Sequence, residues 1–95
     1  MATFVMLGRM SVDSMRESNP QQLAEAMALI KKNGGELKAG FGMMGKYELL
    51  LILEMPNIEQ MMKTSVGLTK MLGGITFITS PAFTLEEANS YMVED

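Results

Sequence analysis

Leu49, Leu50, Leu51, Ile52 and Leu53 follow one another without a polar break. In a strand, successive side chains point to opposite faces, so a strand with one wet face alternates apolar and polar residues. This stretch does not alternate. It reads as a short strand that is apolar on both faces, running from Tyr47 to Glu54 and followed by Met55-Pro56. Both faces then need a cover. With 95 residues the chain has the length of one domain with one core, and residues 1–95 are read as that single domain.

The rest of the pattern supplies partners for that strand. Thr3 to Arg9 reads as a first strand, with Phe4, Val5, Met6 and Leu7 continuous. Met10 to Ser18 is polar and reads as a loop or a short helical turn. Asn19-Pro20 announces a helix, since Asn caps well and Pro suits the first helical position. Leu23, Met27 and Ile30 then recur at helical spacing. Lys31 and Lys32 suit the helix's negative end, and Asn33-Gly34-Gly35 stops it. Glu36 to Met44 reads as a second strand, with Leu37, Ala39, Phe41 and Met43 on one face.

Pro56-Asn57 opens a second helix, with Asn57 and Gln60 spaced as in a capping box. Ile58, Met61, Met62, Ser65, Leu68, Thr69 and Leu72 form its expected inner stripe, and Gly73-Gly74 ends it. Ile75 to Ser80 reads as a fourth strand, interrupted by Pro81. Thr84 and Glu87 form another capping box, which opens a C-terminal helix.

The order β-α-β-β-α-β with a helical tail is the ferredoxin-like pattern, an α+β fold. Its right-handed crossovers place both helices on one face of an antiparallel sheet. The first and third strands are central in that fold, and here those two are the doubly apolar ones.

The helices cover one face only. The other carries either Leu49, Leu51 and Leu53 or Leu50 and Ile52, plus matching residues of the first strand. Burying each such side chain is worth about 1.5–3 kcal/mol, against a total stability of about 5–15 kcal/mol. A second copy of the same sheet, packed face to face about a twofold axis, is the simplest cover. The expected assembly is a homodimer through the sheet, or a higher oligomer built from it.

Composition removes several function classes. There is no cysteine and no histidine. Thiolate nucleophiles, disulfides, zinc-thiolate sites and His- or Cys-ligated haem are therefore excluded. So is histidine general-base chemistry. Net charge is −3, and Lys31-Lys32 is the only adjacent basic pair, so no phosphate-neutralising face is expected. Gly40-Phe41-Gly42 lacks the Lys-Ser/Thr and the following helix of a phosphate-binding loop. No apolar run approaches the ~20 residues that span a bilayer. The first residues lack a basic lead-in and a cleavage site, so the expected compartment is the cytoplasm. Neither metal nor cofactor is expected. Twelve methionines provide an adaptable filling for an irregular interior.

Met44-Gly45-Lys46-Tyr47 joins the second and third strands. A two-residue loop with Gly first suits a type II′ turn, which needs a positive φ there. Gly45-Lys46-Tyr47-Glu48, the Leu-rich strand after it and Glu54-Met55-Pro56-Asn57 resemble the signature of the GYD-domain family. Ala2-Thr3-Phe4-Val5-Met6-Leu7, Ser18-Asn19-Pro20, Gly34-Gly35 and Ala82-Phe83-Thr84 add to the resemblance, which covers nearly the whole chain. It implies a dimeric α/β barrel, with two ferredoxin-like units joined through their sheets, and it implies no particular activity. Two positions depart from the family pattern: Glu48 stands where the family has Asp, and Ser14 replaces a glycine.

Arg9, Tyr47, Glu48 and Glu54 are the candidate ligand-binding residues. Tyr47 offers a hydroxyl and Glu48 a base or an anchor. Strand-end packing for Tyr47 and a solvated charge for Glu48 are the plainer accounts. Arg9 and Glu54 each close an apolar strand, and an ion pair across the sheet accounts for them as well as a ligand carboxylate does. Glu86, Glu87, Glu94 and Asp95 make an acidic tail, read as ordinary surface. Three functions follow. The first is a homo-oligomeric small-molecule-binding or sensory module. The second is a cofactor-independent enzyme, monooxygenase- or isomerase-like, using Tyr47, Glu48 and Arg9. The third is a structural oligomer subunit.

Overall fold

Asn19 and Asn57 start the two long helices in the same way. The Asn19 Oδ1 accepts the Gln22 N–H at 3.1 Å, and the Asn57 Oδ1 accepts the Gln60 N–H at 2.9 Å. Each satisfies a backbone donor that a helix end leaves unpaired. In the computed structural model, which describes residues 1–92, the chain runs β1 (Ala2–Met10), α1 (Val12–Glu17), α2 (Pro20–Lys32), β2 (Glu36–Gly42), β3 (Leu49–Met55), α3 (Ile58–Leu72), β4 (Ile75–Ala82) and α4 (Leu85–Met92). The stretch left open between loop and turn is the short helix α1, capped by Ser11, whose Oγ accepts the Ser14 N–H at 3.0 Å. Glu94 and Asp95 of the acidic tail lie outside the described residues.

The four strands form one antiparallel sheet in the order β2-β3-β1-β4. This is the ferredoxin-like arrangement, with the doubly apolar strands β1 and β3 at the centre. β4 runs on through Pro81 to Ala82. As an edge strand it tolerates a residue without an N–H.

Register decides which residues meet the helices. Leu51, Leu53 and Met55 of β3 and Phe4 and Met6 of β1 are buried together with Ala26 and Ile30 of α2 and Met61 and Leu68 of α3. Leu49 packs on the margin of this core. The opposite face carries Leu50, Ile52 and Glu54 of β3, paired with Leu7, Val5 and Thr3 of β1. Of the five residues Leu49–Leu53, therefore, only Leu50 and Ile52 lie on the face available to a partner.

Three local expectations are corrected. First, a bulge at Lys38 breaks the alternation of β2. Leu37 pairs with Leu53 on the helix side, whereas Ala39 and Phe41 pair with Ile52 and Leu50 on the open side. One extra residue in a strand shifts everything after it to the other face. Secondly, Ile58 and Met62 of α3 point outward, 70% and 68% exposed, and Thr64 is buried in their place. Thr64 is tolerated because its hydroxyl is fully used: it donates to the Gln60 carbonyl at 2.8 Å and accepts from Asn33 Nδ2 at 2.9 Å. Thirdly, residues 43–48 connect β2 to β3 without a two-residue turn. Met43 N–H donates to the Glu48 carbonyl at 2.8 Å and closes the connection. Gly45 keeps its positive φ of 118°, which only glycine adopts readily.

α4 carries the expected reciprocal cap, with Thr84 N–H to Glu87 Oε1 and Glu87 N–H to Thr84 Oγ1 both at 3.0 Å. None of its residues is buried. The open face keeps Phe41 and Ile78 about half exposed, so the chain's own C-terminal helix does not roof it.

Candidate functional site

At the end of the sheet where β1 finishes and β3 begins, the helix layer stands off from the strands and leaves a cavity of about 190 Å³. Its floor is the helix-facing ends of three strands: Met10 of β1, Leu49 and Leu51 of β3, and Ile75 of β4. Leu68 and Leu72 of α3 form one wall, and Leu23 and Ala26 of α2 another. Ser14 of α1, Ser18 and Asn19 at the α1–α2 junction, and Gln22 in the first turn of α2 bring the polar groups.

The cavity exists because the first turn of α2 and the small helix α1 contribute short or polar side chains where large apolar ones would fill the space. Asn19 is committed to local structure: its Oδ1 caps α2 and its Nδ2 donates to the Glu17 carbonyl at 3.1 Å. Ser14, Ser18 and Gln22 make no side-chain hydrogen bond through their own terminal groups among the described residues. Ser14 is nonetheless buried, and it is one of the lining residues. No lining residue is charged. Such a space accepts a neutral, mostly apolar guest and offers hydrogen bonds on the α1–α2 side. It offers neither an acid nor a base among its lining residues, so its serine hydroxyls have no partner to activate them.

None of the four residues singled out by the sequence lines this cavity. Arg9 is exposed on the open face of the sheet, in register with Thr76. Glu54 is on the same face but level with Thr3, at the far end. The expected Arg9–Glu54 ion pair within one sheet does not form, because antiparallel strands place their last residues at opposite ends. The ion pairs among the described residues are Lys38–Glu36 at 3.9 Å and Lys63–Glu59 at 3.8 Å.

Tyr47 and Glu48 sit in the connection before β3. The Lys46 ammonium lies 5.8 Å from the centre of the Tyr47 ring, within range of a cation–π attraction. Glu48 is tied by three bonds. Its N–H donates to the Gly8 carbonyl at 2.9 Å and its carbonyl accepts the Met43 N–H. Its carboxylate accepts the Met10 N–H at 2.6 Å. Glu48 thus holds Met10, whose side chain forms part of the cavity floor, without entering the cavity itself. Its bonds to Gly8 and Met10 place Glu48 beside Arg9, but no ion pair joins the two side chains among the described residues.

Sequence reasoning passed over Ser14, Ser18 and Gln22. The available signal was a polar run beside a helix start, and that signal is equally the mark of a helix cap. Only the folding of α1 back over the strand ends turns it into the wall of a cavity.

A family model described as the GYD domain matches residues 4–92 of the chain. No curated protein matches it. Among the described residues no helix is long and apolar enough to cross a membrane.

Proposed function

This chain belongs to the GYD-domain family, and from that premise we propose that it works as a homo-oligomeric small-molecule-binding module of the dimeric α/β-barrel type. The observation that carries the reading is the cavity of about 190 Å³ between sheet and helices. The space is half open to solvent, and its volume suits a guest of one ring or a short branched chain. With no charge on the lining, a neutral guest enters without leaving an unpaired ion behind. Ser14, Ser18 and Gln22 orient its polar end. A sensory role follows if occupancy stiffens α1 and the start of α2, the elements that close the space.

The uncovered sheet face supports the homo-oligomeric half of the proposal. Val5, Leu7, Leu50 and Ile52 form an apolar centre on that face, and among the described residues α4 makes no extensive contact with the strands there. The enzymatic reading draws no support from the cavity, whose lining includes none of Arg9, Tyr47 and Glu48.

The test is thermal unfolding of the purified protein with phenol, indole, benzoate or benzylamine present, together with a native mass spectrum. Phenol and indole are expected to raise the melting temperature, and benzoate and benzylamine to leave it unchanged. No shift with any probe, and a bare mass in the spectrum, would overturn the binding reading.

A further inference from the structure

Among the described residues, α4 buries none of its side chains and makes no extensive contact with any other element. Leu85 is 89% exposed, Met92 is 73% exposed, and Tyr91 is exposed between them. Leu85, Ala88 and Met92 share one side of the helix, at the i, i+3, i+7 spacing of a helix that docks in a groove. The radius of gyration is 14.4 Å, where a compact chain of this length has about 12 Å. The long axis measures 53 Å, against about 30 Å for the whole of β1, the longest strand. α4 is therefore an arm that leaves the body of the domain. Isolated helices shorter than about 12–15 residues are marginal in water, so an eight-residue helix needs a seat for its apolar side.

The outer flank of α3 offers such a seat. Ile58, Met62 and Val66 step along it four residues at a time, and all three are exposed. At 1.5 Å per residue this row spans about 12 Å, and Leu85 to Met92 spans about 10 Å. The charges match as well. The two long helices carry Lys31, Lys32, Lys63 and Lys70 against Glu25 and Glu59. α4 carries Glu86 and Glu87 and no base. Lys70, which continues the α3 row, and Glu86 have no ion-pair partner among the described residues. We propose that α4 of each chain lays its Leu85–Ala88–Met92 side on the Ile58–Met62–Val66 row of a second copy, in a reciprocal exchange of C-terminal arms. Donor and acceptor lie on the same chain, so the exchange covers both apolar surfaces twice in the pair. The contact uses the helix layer and does not rest on how the open face of the sheet is covered. A lipid surface matches α4 poorly, because helices that lie on membranes carry Lys and Arg on their polar side.

The absence of native cysteine supplies the test. Met62 and Ala88 are central in their two rows, so they meet whichever way the arm runs. Met62→Cys protein mixed with Ala88→Cys protein is expected to form a covalent dimer through a short bismaleimide, and neither protein alone is expected to do so. A mixture that does not link overturns the exchange. So does a Met62→Cys/Ala88→Cys double variant that links within one chain, which places the arm on its own α3. Sedimentation of the full chain is the second readout. Met62→Glu and Met92→Glu change exposed positions. Both are expected to keep native circular dichroism, to lower the number of subunits per particle and to raise the dissociation constant roughly tenfold or more. An unchanged particle size in both variants overturns the proposal. Leu50→Glu, on the open face of the sheet, is expected to leave the Met62–Ala88 cross-link in place. A particle size unaffected by Leu50→Glu, with that cross-link retained, removes the sheet contact and leaves the arm exchange standing.

Discussion

The carboxylate of Glu48 accepts the backbone N–H of Met10 at 2.6 Å. The C=O of Gly8 faces β3 and takes the Glu48 N–H. Met10, two residues on, presents its N–H to the same side, where β3 has already ended. The side chain supplies the acceptor that the neighbouring strand no longer can. One residue thereby fixes the end of β1, the connection from β2 and the floor of the cavity.

Removing that acceptor leaves a part-buried N–H unsatisfied. Glu48→Ala is expected to cost about 1.5–3 kcal/mol, the range for a hydrogen bond to a charged group. Glu48→Gln keeps a carbonyl in place and is expected to lose less than half of that. Urea unfolding of the two variants beside the wild type checks the order.

Leu50 and Leu51 are neighbours in sequence with opposite fates. Leu51 is buried under the helices and Leu50 lies on the open face. Leu51→Glu is expected to unfold the chain, since it buries an unpaired charge. Leu50→Glu is expected to keep native circular dichroism while sedimentation shows the proposed dimer weakened by a factor of roughly 100 or more, as for a charge placed in the apolar centre of an interface. Equal loss of fold in both variants would remove the distinction between the two faces.

Gly35 separates α2 from β2 at a point with no spare room. A Cβ built there would stand 2.6 Å from the Glu54 carbonyl oxygen, and backbone cannot swing aside. Gly35→Ala is expected to destabilise by about 2–4 kcal/mol, in the upper range for single substitutions. At Gly42 a Cβ meets nothing within 4 Å. Gly42→Ala is expected to be neutral or to stabilise by about 0.4–1 kcal/mol, through a less mobile unfolded chain. Thermal melts of the pair give the comparison.

Ala26 is small, buried and on the cavity wall. Ala26→Leu places three more carbons in the space. It is expected to abolish any melting shift caused by indole or phenol while leaving the unliganded fold intact, at a cost below the about 1–3 kcal/mol of overpacking a filled core. A shift that persists in Ala26→Leu would locate the guest elsewhere.

Much of this fold is legible from local chemistry. Asn19-Pro20 and Asn57 mark helix starts that lie where expected, because a cap depends on residues within one turn. The central places of β1 and β3 follow from their unbroken apolar runs, because only a strand covered on both sides stays greasy on both. The misreadings cluster where a distant element intervenes. The inner face of α3 was misjudged at Ile58 and Met62, because burial of Thr64 depends on Asn33, thirty-one residues away. The candidate site was legible only in part. Glu48, read as part of the third strand and as an anchor or a solvated charge, lies just before β3 and accepts the Met10 N–H, and the cavity belongs to residues that read as loop and cap.

From its sequence alone this chain determines most of its elements, their order, and the apolar character of both faces of its central strands. Those follow from side-chain periodicity and capping, which act over a few residues. Tertiary structure decided which alternating set of β3 meets the helices, where the bulge at Lys38 turns Phe41 to the open side, and that Arg9 and Glu54 stand at opposite ends. It also decided that Ser14 lines the cavity. These depend on register and on packing between segments far apart in the chain, and a one-residue shift in either reverses the face that every later side chain presents.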